Sequence, residues 1–366
     1  MTTSVLYELI QIALGGQSQL SRIPTGKEWK AVYNEAEMQA VVGICIAGVD
    51  KLPKEQMPPK IMLLEWIGIS EQIRQQNKHV DEQTTRIWRQ LKDDGLEAAI
   101  LKGQGIATLY GDALGKLRLS GDIDIWVKGG YQVVRDYVQQ TRPTDDLAYH
   151  RFHYDFFEDT EVEIHHRPTL MRNLLDDRKL ARWYNSFGAD SFVYLEDKGF
   201  AVAPVEFNRI FILTHIYRHF LFEGIGLRQV MDYYFVLKAN AGRDKEEVAK
   251  NLKDLRLLRF AQAMMWILHE KLGLEEQYLI SGMNEKEGRF VLSEIEQTGN
   301  FGHTDSRYNY KYLFKLRRQL AHGTHLLVHY PSEVIWTPIW LIYHKVWKWD
   351  KKRKIRKEWR QRYMCS

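Results

Sequence analysis

Residues 101–127 read LKGQGIATLYGDALGKLRLSGDIDIWV and close on Gly121-Asp122-Ile123-Asp124-Ile125-Trp126-Val127. Two aspartates alternate there with apolar residues. Successive side chains of a strand point to opposite faces, so Asp122 and Asp124 share one face while Ile123 and Ile125 take the other. Neighbouring carboxylates repel unless a positive charge sits between them, and a divalent metal is the usual occupant. On that reading, Asp→Asn at either position relieves repulsion and leaves the fold intact. Upstream, Lys102-Gly103-Gln104-Gly105 forms a glycine-bearing turn where backbone can approach a phosphate.

Downstream, residues 149–157 are rich in aromatics that alternate with polar residues. Glu158-Asp159-Thr160 has turn chemistry, and Glu161-Val162-Glu163-Ile164-His165 alternates again, which predicts a hairpin. Glu161, Glu163 and His165 share one face of its second strand, so either glutamate can complete a set of three acids. Short strands are predicted over 96–101 and 123–127, with helices over 105–110 and 131–140 between and after them. Residues up to about 95 carry helical periodicity, broken at Pro53, Pro58 and Pro59. Helices return over 205–222 and 227–237, and are expected to continue through 245–272 and 285–296.

The arrangement resembles the nucleotidyltransferase superfamily that includes DNA polymerase β, and most nearly the bacterial group called the uncharacterised nucleotidyltransferase family. The residues that carry the likeness are Leu101-Lys102-Gly103, Leu109-Tyr110, Arg118-Leu119-Ser120-Gly121-Asp122-Ile123-Asp124 and Glu163-Ile164-His165. The resemblance implies an α+β fold: a small mixed β-sheet core over 96–203, an N-terminal helical region over 1–95 and a C-terminal helical region with a basic tail over 204–366. It selects Glu163 over Glu161 as third carboxylate, and makes Asp122, Asp124 and Glu163 both catalytic residues and ligands of two Mg²⁺ ions. It places Lys102, Gly103, Gln104, Arg118 and Ser120 on the nucleotide. Where many relatives carry Gly-Ser at the turn, this chain has Gly103-Gln104. Arg118 is the expected triphosphate clamp, because a guanidinium is always charged and forked. Arg228 and Asp232, in a stretch that follows the helix with His215 and His219, are second-tier site residues. The implied reaction is Mg²⁺-dependent transfer of a nucleoside monophosphate from an NTP to an acceptor hydroxyl, releasing pyrophosphate. The alternative is a nucleotide-binding regulatory module with a vestigial site.

His215 and His219 stand one helical turn apart, but Ile216 follows where a zincin helix needs glutamate, so packing histidines are expected. The chain has 366 residues, 45% of them hydrophobic, with a mean hydropathy of −0.42. No long uninterrupted apolar run predicts a spanning helix. The N-terminus lacks a signal-peptide pattern, and Cys45 and Cys365 are the only cysteines, so a cytoplasmic protein without a disulfide framework is expected.

Charge is uneven. Residues 345–366 hold ten Lys/Arg against two Asp/Glu; taking that +8 from the whole-chain +5 leaves −3 for the rest. The body therefore lacks the basic face of a nucleic-acid binder, and a small-molecule acceptor is favoured. The tail itself carries Trp336, Trp340, Trp347 and Trp349 ahead of Lys351-Lys352-Arg353-Lys354. Such a segment suits an anionic membrane surface. Pro338, Glu333 and His344 speak against that, and the expectation adopted is a helix packed on the body with most of these tryptophans buried.

Overall fold

In a computed structural model, which describes residues 2–241, 244–302 and 325–364, the alternating segments pair into one sheet. Its strands are β1 (Ala98–Ile100), β2 (Ile123–Val127), β3 (Arg151–His153), β4 (Val162–His165), β5 (Val193–Leu195) and β6 (Phe200–Val202). They lie in the order β3-β4-β2-β1-β6-β5. β2 runs parallel to β4 and antiparallel to β1, while β3 closes on β4 as the expected hairpin. β2 and β4 are buried along their whole length, which is why apolar residues fill the face away from the acids. The fold is thus α+β, a mixed sheet flanked by helices.

The chain divides into two compact units, each assembled from three stretches. One comprises Gln83–Gly103, Gly121–Phe207 and His322–Ser366, and holds the sheet. Its core packs helix Gly130–Thr141 through fully buried Val134 and Val138. Trp126 stacks on Phe207 at 5.2 Å, and Phe207 stacks in turn on Trp183. Two pieces escape the sequence reading. Helix Leu174–Asn185 starts on Asn173, whose side chain accepts from the Leu175 and Asp176 N–H groups. The β5–β6 hairpin turns through Glu196-Asp197-Lys198-Gly199, with Gly199 at φ +73°; three-residue strands are too short to show periodicity.

The second unit comprises Met1–Glu82, Gln104–Ser120 and Asn208–Ala321, and is helical where described. Helix Gly26–Met38 opens with a capping box between Thr25 and Glu28. Helix Val42–Val49 meets Thr2–Leu14 so closely that a Cβ at Gly48 would lie 2.3 Å from the Leu9 carbonyl oxygen. The buried Gln39 side chain accepts from the Leu227 N–H at 3.0 Å, capping helix Leu227–Ala239. The run expected over 245–272 is two helices, Lys245–Asp254 and Leu258–Leu272, separated where Arg256 turns left-handed at φ +57°.

The C-terminal helix, Pro331–Met364, runs continuously through Pro338 and packs within the sheet-bearing unit. The expectation for its tryptophans needs correction. Trp340 is buried and Trp336 and Trp347 are half-buried, but Trp349 is exposed. One face of the helix packs, with Glu333 accepting from the Arg172 and Asn173 N–H groups at 2.7 and 3.1 Å. Its other face meets water. Among the described residues no helix is long and apolar enough to cross a membrane. Cys365 lies outside the described residues, and Cys45 is a buried free thiol.

Candidate active site

Register brings the acids together. Asp124 on β2 pairs with Glu163 on β4, and Trp126 pairs with His165. Parallel neighbours in register stand one strand spacing apart, about 4.8 Å, so two carboxylates meet on one face of the sheet. His165 Nε2 lies 2.8 Å from Asp124 Oδ1 and 3.4 Å from Glu163 Oε2, spanning both. Arg151, on β3, meets Glu163 Oε1 at 2.5 Å. Asp122 stands two residues before Asp124, just ahead of β2, and is part-exposed. Glu161 precedes β4 and is exposed; its carbonyl, not its side chain, takes part, accepting from the Ile123 N–H.

The turn after β1 supplies the counter-charge. Lys102 Nζ sits 2.9 Å from Asp124 Oδ2 and 3.7 Å from Asp122 Oδ2. Gly103 follows at φ +58°, and a Cβ there would lie 3.4 Å from the Asp122 carbonyl oxygen. A left-handed residue without a side chain suits that place. Relief of repulsion is not the whole effect expected of Asp124→Asn: Lys102 and His165 already answer the charge, so that substitution also removes two attractive contacts.

Electrostatics follow from this packing. Burial raises the Asp124 carboxyl, but Lys102 and His165 outweigh it and hold the group well below the usual carboxylate range. Glu163 moves the other way: burial, helped by the Asp124 charge, raises it against the pull of His165 and Arg151. His165 is depressed by burial, yet the two carboxylates raise it overall. Lys102 is likewise raised despite burial, by Asp124, Asp122 and Glu163. Two acids on one face are thus shifted in opposite directions.

Asp124, Glu163 and His165 each offer a ligand atom, and these atoms lie within 4.8 Å of one another. The oxygen-rich set, with an ammonium drawn between Asp122 and Asp124, fits a site that demands positive charge. No such group forms around His215 and His219 among the described residues. Those rings meet edge to face with centroids 4.4 Å apart, and His219 Nδ1 meets Glu223 Oε2 at 2.6 Å.

The other expected nucleotide contacts belong to the helical unit. Gln104 is buried there and its amide donates to Asp81. Ser120 is half-buried. Arg118 does not offer a free fork. Its Nε and Nη2 donate to both oxygens of Asp232 at 2.6 and 2.8 Å, and Nη1 donates to the Leu119 carbonyl. Tyr110 OH donates to the same Asp232 at 2.7 Å, and Arg228 Nη1 donates to the Leu119 carbonyl. Residues that sequence reasoning passed over are Arg151 and the bridging role of His165. Arg151 registers opposite His165 and reaches Glu163 on the diagonal, a pairing that only the hairpin register discloses.

Residues 25–273 match the model of a family described as "Uncharacterised nucleotidyltransferase". Among solved structures, the chain is similar to an antigenic nucleotidyltransferase-like protein from Paracoccidioides brasiliensis, at 12% identity and a TM-score of 0.35, over 57% of this chain and 96% of that one. No curated protein matches.

Proposed function

The chain belongs to the uncharacterised nucleotidyltransferase family, and on that premise we propose that it transfers a nucleoside monophosphate from an NTP to an acceptor hydroxyl, with release of pyrophosphate. The observation that carries the reading is the in-register pair Asp124 and Glu163, spanned by His165, with Asp122 two residues upstream. Asp122, Asp124 and Glu163 would hold Mg²⁺, two ions when the triphosphate is bound. Bound there, Mg²⁺ supplies charge neutralisation for phosphoryl oxygens in an in-line displacement.

The chain's own groups do the rest. Lys102 can exchange its carboxylate partners for a phosphate, since an ammonium on a flexible stem re-aims readily. The Gly103 backbone can approach the triphosphate with no side chain in the way. Glu163, with its raised affinity for a proton, is placed to accept the proton of the acceptor hydroxyl. Gln104, Arg118 and Ser120 stand as nucleotide contacts on the family pattern alone. Given its two hydrogen bonds to Asp232, Arg118 acts best by fixing the loop that carries Leu119 and Ser120. The acceptor is proposed to be a small molecule, because the chain outside its basic tail carries a net −3.

The test is a panel of four NTPs with Mg²⁺, read as pyrophosphate release over a range of hydroxyl acceptors. Turnover that disappears in Asp122→Asn supports transfer. Metal-dependent NTP binding without turnover on any acceptor would move the reading to the regulatory module.

A further inference from the structure

Helix Pro331–Met364 packs through one face and leaves the opposite face bare, and the composition of that bare face changes along its length. The packed side carries Glu333, Thr337, Trp340 and Ile355, all buried. It adds Lys351, whose ammonium lies 4.6 Å over the Tyr131 ring, and Trp359, whose Nε1 donates to Gln139 at 2.7 Å. Opposite them, Ile335, Ile339, Ile342, Val346 and Trp349 are each between 51% and 69% exposed. Their spacing alternates four and three, so they form a single stripe along the helix. Steps of four, four and three carry the line on to Arg353, Lys357 and Arg360, and all three are exposed. The stripe is apolar for its first four turns and cationic for the next two.

We infer that this face is a peripheral docking surface for an anionic lipid bilayer. Charge complementarity chooses the occupant. A second copy laid along the stripe in parallel would set Arg353 and Lys357 against their own equivalents. Laid antiparallel over the full length, it would set them against isoleucines. A bilayer surface takes both halves at once, since isoleucine and tryptophan enter the boundary between headgroups and acyl chains while guanidinium and ammonium groups meet phosphates. Among the described residues of this helix, Asp350 is the acid beside the stripe, and Lys354 pairs with it at 2.8 Å. The features that spoke against a membrane contact do not touch this face. Glu333 lies on the packed side with His344, whose ring stacks on Trp340 at 4.6 Å, and the helix passes through Pro338 unbroken. Lying on the surface, not spanning it, agrees with the absence of a sufficiently long apolar helix among the described residues. The inference stands apart from the proposed transfer reaction and would survive its failure.

Co-sedimentation of the full chain with vesicles tests it, comparing phosphatidylcholine alone with the same lipid carrying phosphatidylserine at about 0.15 M salt. The chain should partition onto the anionic vesicles and remain in solution with the neutral ones. Ile342→Glu, at an exposed position where folding is undisturbed, should cut partitioning about tenfold. The double change Arg353→Glu with Lys357→Glu should cut it at least as far and remove its salt dependence. Circular dichroism and melting checks that each variant is folded. No sedimentation with anionic vesicles overturns the inference. So does polyanion binding that Ile342→Glu leaves untouched, which would mark a nucleic-acid surface. A lipid-free dimer that Ile342→Glu dissolves would overturn it too, by giving the stripe to a second copy.

Discussion

Two buried ionic clusters in this chain use similar residues to opposite ends. In the helical unit, Arg118 and Asp232 form a closed pair: one guanidinium, one carboxylate, two parallel bonds, with Tyr110 completing the acceptor's shell. In the sheet unit, Asp122, Asp124 and Glu163 crowd one face with Lys102, His165 and Arg151 distributed among them. The first cluster is neutral and satisfied, which is what a structural ion pair needs. The second concentrates acids on neighbouring strands, keeps Asp122 part-exposed, and shifts its two buried carboxylates in opposite directions. Burial of charge alone does not mark a site. Several acids gathered on neighbouring strands, open on one side, do.

The contrast breaks first at Asp122. Asp122→Asn should lower NTP turnover by at least ~10³-fold, about 4 kcal/mol, while the melting temperature stays within a few degrees. Retained turnover would end the metal-dependent reading. Asp124→Asn should lose as much activity and, unlike Asp122→Asn, also lose stability, because two contacts go with it. Asp232→Ala tests the other pole. Leaving Arg118 buried and unpaired should cost about 3–5 kcal/mol in urea denaturation. A loss below 1 kcal/mol would mean that the pair is not what holds its loop. Next in size is Glu163→Gln, expected to cost ~10²-fold in turnover, with Glu161→Gln close to wild type. Equal losses would put the exposed Glu161 into the chemistry and undo the assignment by register.

The smallest effect sharpens the comparison with a third case, a buried acid that has neither surplus partners nor a bidentate fork. Burial pushes Glu333 up to about 7 from an ordinary 4.5, against the opposing pull of the Arg172 and Asn173 N–H groups. The folded state then binds the proton more tightly than the unfolded chain does. Stability contributed by protonated Glu333 is present below the unfolded value and is lost as pH rises through about 7, by about 3 kcal/mol. The melting temperature should therefore fall by several degrees between pH 5 and 8, and Glu333→Gln should flatten that slope. An unchanged slope would assign the pH dependence elsewhere.

Much of this was legible in the chain and some was not. Asp122 and Asp124 declared themselves by alternation, and the hairpin ending in Glu163-Ile164-His165 did so by alternation plus a turn. Helix 205–222 was visible as a long apolar run. What failed had a common cause: partners distant in sequence. Nothing local tells that Arg118 will spend its fork on Asp232, more than a hundred residues away, or that Lys102 will turn toward the aspartates rather than outward. The β5–β6 hairpin was too short for periodicity to register. The tail misled in another way. Its composition is a mixture of two faces, and only the helix separates buried Trp340 from exposed Trp349.

The parallel pairing of β2 with β4 has a consequence for how the site is lost. Asp124 and Glu163 are neighbours only while two central strands keep one register, and a slip of a single residue would send one acid to the opposite face. Asp124 and Glu163 therefore stay together only as long as β2 and β4 stay paired. Any ligand that binds across the two acids favours the fully paired sheet over every opened one, so its binding energy is felt as stability of the whole unit instead of stiffness of a loop.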